Sequence, residues 1–232
     1  MLISPQNLAE NLQSVRERLA AAARSAGRPE DCVTLVAVSK GQLPEAIARV
    51  AALGQRDVGE SYPQEALPKI ESLRLEELCW HFIGQVQSNK TRLLAEHFQW
   101  VHGIDRAQIA TRLNSQRPHY APVLNVCVQV KLGEEPGKGG VAAHELAPLV
   151  AHLAALPRLR LRGLMCIPPP EQVEAEQRRR FARLRELMER LVAAGHPLDV
   201  LSMGMSGDFE AAVREGATHV RIGTAIFGPR EP

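Results

Sequence analysis

The apolar run Val33–Ser39 (VTLVAVS) ends at Lys40, so a primary amine stands where a buried strand surfaces. Only the neutral form of such an amine attacks a carbonyl, and partial desolvation beside other cations lowers a lysine from about 10.4. Lys40 therefore suits a Schiff base with an aldehyde, although a lysine that simply surfaces at a strand end has the same local signature. Two distant segments favour the chemical reading. Ser202-Met203-Gly204-Met205-Ser206-Gly207-Asp208 leads into a helical pattern, and Arg221-Ile222-Gly223-Thr224 leads into Ala-Ile-Phe-Gly. Small residues let backbone N–H groups approach an anion, and a helix start adds its positive dipole end. Each segment alone also reads as an ordinary glycine-containing turn. With Lys40 they describe a site for a phosphorylated aldehyde.

Arg221 lies two residues before Gly223, and strand alternation points both the same way. A buried guanidinium needs an acceptor, and the ring nitrogen of pyridoxal phosphate would provide one. Arginine does not give up its proton, so that nitrogen would stay largely unprotonated and the ring would be a weak electron sink. This weighs against vigorous carbanion chemistry.

Residues near positions 40, 206 and 221 can share a site only if the fold brings strand ends together. Strand patterns recur at Val33–Ser39, Asp57–Gly59, Trp80–Ile83, Trp100–Ile104, Val123–Val130, Leu161–Ile167, Val200–Met203 and His219–Ile222. Helical patterns alternate with them at Pro44–Leu53, Gln64–Leu78, Ser88–His97, Arg106–Arg117, Ala142–Leu156, Gln172–Ala194 and Gly207–Glu215. Alternation implies parallel strands with right-handed crossovers. Eight strands in 232 residues, close to the roughly 250 usual for the closed form, predict an α/β single (β/α)8 TIM-type barrel; an open doubly wound sheet is the competing arrangement. Before it, a helix over residues 4–26 carries an apolar stripe of Leu8, Leu12, Val15 and Leu19. No linker divides the chain, so one domain is expected over 1–232, with the barrel spanning 33–228 and a mobile loop at Lys131–Gly140.

The 28 Lys+Arg against 26 Asp+Glu leave a charge of +2, without the basic excess of a nucleic-acid binder. No apolar run reaches the roughly 18 residues of a membrane span, and the start lacks a signal-peptide pattern, so a cytoplasmic location is expected. Cys32, Cys79, Cys127 and Cys166 form no C-x-x-C pair, against zinc and disulfides. His81 alternates with Phe82 and reads as a hydrogen-bonded core residue. The other histidines, His97, His102, His144 and His152 among them, are scattered, so no metal site is expected. The arginines of Gln177–Arg185 share a helix with Glu174, Glu176, Glu186 and Glu189 and predict an ion-paired, solvated face rather than an RNA-binding patch. Those of Leu159–Arg162 are expected at the surface.

The stretches LVAVSK, WHFIGQVQSNK, LRGLMCIP, LSMGMSGDFEAA and HVRIGTAIFG, in this order and spacing, resemble the pyridoxal-phosphate homeostasis protein family from Val33 to Gly228. The resemblance implies a barrel like the N-terminal domain of alanine racemase, with pyridoxal phosphate bound through Lys40. It places the phosphate on Ser206 and the backbone of Gly223 and Thr224, and the ring nitrogen on Arg221. His81, Ile83, Gly84 and Asn89 would form the pocket wall and rim, and Met203 is counted with the cofactor-binding residues. The family commonly has Gly-Glu-Asn after the second strand; here it is Gly59-Glu60-Ser61, and a water would have to bridge from the shorter Ser61. Lys138, in the flexible loop, reads as an exposed solvated lysine, and the resemblance adds a secondary aldehyde-binding role as the alternative. The function implied is intracellular vitamin B6 homeostasis, buffering the cofactor or delivering it to apo-enzymes, by a monomer or weak dimer. The alternative is a true amino-acid racemase or decarboxylase. Racemisation needs an acid–base group on each face of the substrate carbon; Lys40 serves one, Tyr62 is the candidate for the other, and no second racemase domain is expected before Pro232.

Overall fold

Short apolar runs pair here as a closed parallel sheet, in a computed structural model that describes residues 5–133 and 139–229. The strands are β1 (Thr34–Val38), β2 (Asp57–Glu60), β3 (Cys79–Phe82), β4 (Trp100–Ile104), β5 (Leu124–Gln129), β6 (Leu159–Met165), β7 (Val200–Ser202) and β8 (His219–Ile222). Each pairs with the next, and β1 closes on β8, with Ala37 opposite both Val58 and Ile222. That last ladder decides for the closed (β/α)8 barrel over the open sheet.

The helices between and after the strands are α2 (Pro44–Ala52), α3 (Pro63–Leu73), α4 (Thr91–His97), α5 (Ala107–Gln116), α6 (Leu146–Ala154), α7 (Glu174–Ala193), α8 (Phe209–Arg214) and α9 (Thr224–Phe227). Preceding them all, α1 (Pro5–Ser25) buries Leu8, Leu12, Val15 and Leu19 and packs on α8 and α9, where Asn11 donates to the Ile226 carbonyl at 3.1 Å. The helix expected to reach Leu78 stops at Leu73, where Arg74 turns into the left-handed region at φ 46°. Two expected helices open instead on a 3₁₀ turn, Ser88–Lys90 and Ala143–Glu145. Five arginines of α7 have ion pairs among the described residues, for example Arg178 to Glu215 at 2.7 Å and Arg185 to Glu189 at 2.8 Å. No helix among the described residues is long and apolar enough to cross a membrane.

The main apolar core lies between the strands and their helices, with Val58, Phe82, Val101, Val126 and Leu164 facing outward into it. The barrel interior is different. A small apolar group of Trp100, Cys127, Met165 and Val200 shares it with His81, His102, Ser202, His219 and Arg221, all at most 8% exposed. Ring contacts from β3 to β8, such as His81 to His219 at 6.1 Å, span strands that are not neighbours and so cross the interior. The expectation that the histidines other than His81 are scattered therefore fails for two of them: His102 and His219 meet His81 inside the barrel. Arg162 is likewise not simply at the surface. It pairs with Asp199 at 2.6 Å and lays its guanidinium 5.0 Å from the Trp100 ring centroid, covering the lower end of the barrel.

Burial pulls all three histidines below the ordinary imidazole value, His219 to about 4. Their folded pKa values lie below the unfolded value near 6.5, so this stability is full above that pH and is lost as pH falls towards the folded value. For His219 the window from about 6.5 to 4 is worth roughly 3 kcal/mol. Urea unfolding is expected to show wild-type stability falling across that window, with a shallower fall in His219→Gln. Equal slopes would place the proton uptake elsewhere.

Candidate functional site

At the C-terminal ends of the strands the chain encloses a cavity of about 640 Å³. Loops gather there because every parallel strand ends on that face. Lys40 enters after β1, Ser61 and Tyr62 after β2, Ile83 and Gly84 after β3, Gln129 from the end of β5, Ile167 after β6, Ser206 after β7, and Arg221, Gly223 and Thr224 from β8 and its loop. Eight residues nominated by sequence thus share one lining: Lys40, Ser61, Ile83, Gly84, Ser206, Arg221, Gly223 and Thr224. Three lie outside it. His81 sits deeper in the barrel, Met203 is fully buried in the outer core while Met205 lines the cavity, and Asn89 lies in a 3₁₀ turn whose neighbours Gln87 and Lys90 face the cavity. Lys138 is outside the described residues.

Both neighbours of Lys40 are held by side chains from β2 and α3. Glu60 Oε1 accepts the Ser39 hydroxyl at 2.6 Å and the Lys69 ammonium at 2.8 Å. Lys69 Nζ also donates to the Ser39 carbonyl at 2.9 Å and to Glu65 at 2.6 Å, so its three protons have three acceptors. Glu65 in turn accepts the Gly41 N–H. The backbone on each side of Lys40 is therefore fixed, which limits where its amine can reach. Burial raises the Glu60 carboxyl, opposed by its bonds to Lys69 and Ser39. Its Oε2 is buried without a partner among the described residues. Sequence reading passed over this cluster; the available signal was the i, i+4 pair Glu65 and Lys69 on a helix, with Glu60 at the end of the short strand β2.

The rim beside Ser61 depends on a close approach. A Cβ at Gly84 would stand 2.3 Å from the Ser61 carbonyl oxygen. Gly84→Ala must push β2 and β3 apart at the cavity and is expected to cost about 1–3 kcal/mol, read as a lower urea midpoint. An unchanged midpoint would mean that the rim yields freely.

On the opposite wall, Gly204 turns the chain at φ 97° with its Cα against Phe209 and Ala212, a place with no room for a side chain. Ser206 Oγ, just beyond, accepts the Ala225 N–H at 3.3 Å, which leaves the serine hydroxyl proton available to an anion. α9 is a single turn in which Ala225 N–H goes to Ser206 and the Ile226 and Phe227 N–H groups go to the Gly223 carbonyl, so the backbone that meets the cavity is that of Gly223 and Thr224. Arg221 reaches the cavity floor, donating to Ser202 Oγ at 2.6 Å and the Cys166 carbonyl at 2.9 Å. Burial lowers its pKa, but a guanidinium stays charged. The Cys127 and Cys166 thiols nearby are pushed up to about 12 by burial and are not nucleophiles.

An amine, a guanidinium and a small-residue cradle around one cavity can hold a phosphorylated carbonyl compound. The sequence profile described as alanine racemase, N-terminal domain, matches residues 3–231. A pyridoxal phosphate homeostasis protein of Pseudomonas aeruginosa is 53% identical over 224 residues, covering 97% of this chain and 96% of that protein. The chain belongs to the pyridoxal phosphate homeostasis protein family. Among solved structures, PipY of Synechococcus elongatus with pyridoxal phosphate bound is 38% identical, with a TM-score of 0.85 over 95% of this chain and 100% of that one. Alanine racemase from Corynebacterium glutamicum shares the fold alone, at 17% identity and a TM-score of 0.70 over 96% of this chain and 60% of that one. The family resemblance expected from LVAVSK and HVRIGTAIFG thus extends along nearly the whole chain.

Proposed function

We propose that the chain binds pyridoxal 5'-phosphate through Lys40 and serves vitamin B6 homeostasis, buffering the reactive aldehyde inside the cell or delivering it to apo-enzymes. The observation that carries this reading is the shared cavity, with Lys40, Arg221 and the Ser206–Gly223–Thr224 cradle in one lining. When bound, the cofactor supplies an aldehyde that condenses with the Lys40 amine, losing water. Ser206 and the backbone N–H groups of Gly223 and Thr224 would hold the phosphate, and Arg221 would donate to the ring nitrogen. Ser61 lines the same wall and would meet the cofactor edge with a hydroxyl.

A racemase would need a second acid–base group facing Lys40. Tyr62 borders the cavity but is 62% exposed, a solvated position that favours binding without turnover. The test adds pyridoxal phosphate to the purified chain, records the visible band, reduces with borohydride and maps the labelled peptide. A band with the pyridoxyl group on Lys40, and no sustained conversion of D- or L-amino acids, is the expected result. A colourless protein with no label on that peptide would overturn binding through Lys40, and steady turnover would replace buffering by catalysis.

A further inference from the structure

Below the cavity floor, four consecutive hydrogen bonds run down the inside of the barrel. Arg221 Nη1 meets Ser202 Oγ at 2.6 Å, and Ser202 Oγ meets His102 Nδ1 at 2.7 Å. His102 Nε2 meets His81 Nδ1 at 2.9 Å, and His81 Nε2 meets Asp57 Oδ1 at 2.9 Å. Asp57 starts β2, at the end of the barrel opposite the cavity, with its side chain 29% exposed.

The chemistry of the two ends fixes every proton between them. The Asp57 carboxylate only accepts, so the single proton of a neutral His81 ring sits on Nε2, facing it. His81 Nδ1 is then bare and accepts from His102 Nε2, which leaves His102 Nδ1 bare to accept the Ser202 hydroxyl proton. Ser202 in turn accepts from Arg221, whose guanidinium only donates. Every bond points the same way, from a buried cation to a carboxylate. Both bonds of Arg221 itself go to uncharged oxygens, Ser202 Oγ and the Cys166 carbonyl. We infer that Asp57 is a remote positioning residue, which through His81, His102 and Ser202 holds the Arg221 guanidinium in one orientation at the cavity floor. It is not a proton channel, because the arginine at its upper end does not release a proton.

The effect on cofactor binding rests on the function proposed above; the polarity of the chain of bonds does not. Long-range proton–nitrogen correlation spectra of the histidine rings in the full wild-type chain test the polarity directly. Both His81 and His102 are expected with the proton on Nε2 and a bare Nδ1. Asp57→Asn offers His81 either an oxygen or an NH₂, so it no longer imposes the tautomer. That variant is expected to bind pyridoxal phosphate about threefold to tenfold more weakly, the size of one net hydrogen bond, with a shifted visible band. Ser202→Ala, cut next to Arg221, is expected to shift both further. A proton on Nδ1 of either ring in the wild type would overturn the inference, as would Asp57→Asn with unchanged affinity and band. Asp57, Cys79 and His81 also place ligand atoms within 4.8 Å of one another, so zinc is a direct competitor. Stoichiometric Zn²⁺ binding that removes the His81 Nε2 proton would overturn it too. Wild-type protein that fails to bind the cofactor would sink the proposed function alone, because the tautomers still decide the polarity.

Discussion

Lys40→Ala is expected to lose the visible band that pyridoxal phosphate should give with the wild-type chain, with no borohydride label left on its peptide. Affinity falls on the order of a hundredfold, about 2.7 kcal/mol, since the cradle at Ser206 and the Arg221 guanidinium still offer non-covalent contacts. Lys40→Arg separates charge from nucleophilicity. A guanidinium keeps the positive charge but does not condense with an aldehyde at neutral pH, so this variant should be equally colourless. The cavity holds a second lysine, Lys90, which makes the result decisive. A band that survives in Lys40→Ala, with the label moved to Lys90, would show that the wrong amine has been assigned.

Lys69→Met should be the most damaging change behind the cavity wall. It removes three hydrogen bonds and leaves Glu60, which is fully buried, without its counter-charge. Breaking a buried pair from one side costs about 3–5 kcal/mol, which for a chain of this size lowers Tm by roughly 10 °C. The pH dependence has a definite sign. Glu60 already titrates above the ordinary carboxyl value, and losing Lys69 raises it further. A carboxyl raised on folding contributes stability below its unfolded pKa and loses it as pH rises through the folded value. The deficit of Lys69→Met should therefore be larger at pH 7.5 than at pH 5.5 in urea titrations. Cofactor affinity should fall as well, because Ser39 and Gly41 lose the clamp on either side of Lys40. A variant that binds normally after refolding would show that the clamp serves stability only.

The residues legible in the sequence are those whose position follows from topology. Lys40, Ser206, Arg221 and Gly223 stand at strand ends, and parallel strands send all their ends to one face. The interior was not legible. In runs such as WHFI and HVRI, a strand buried on both faces shows little contrast between inward and outward residues. His81 and His102 stand on adjacent strands, and His219 joined them only when β8 closed on β1. Small offsets also escaped. A 3₁₀ turn carries Gln87 and Lys90 to the cavity instead of Asn89, and the loop after β7 offers Met205 rather than Met203. Lys69 sits on an ordinary amphipathic pattern; nothing in the spacing of Glu65 and Lys69 tells how deep that pair lies.

The seat of α1 on α8 and α9, with Asn11 and Ile226 bonded across 215 positions, governs when the molecule can take shape during synthesis. α1 is made before the barrel strands and waits for β8, α8 and α9 to seat it, and such sequence-distant closure is slow. Until β8 and α9 have been made, the cavity lacks the part of its lining that Arg221, Gly223 and Thr224 supply.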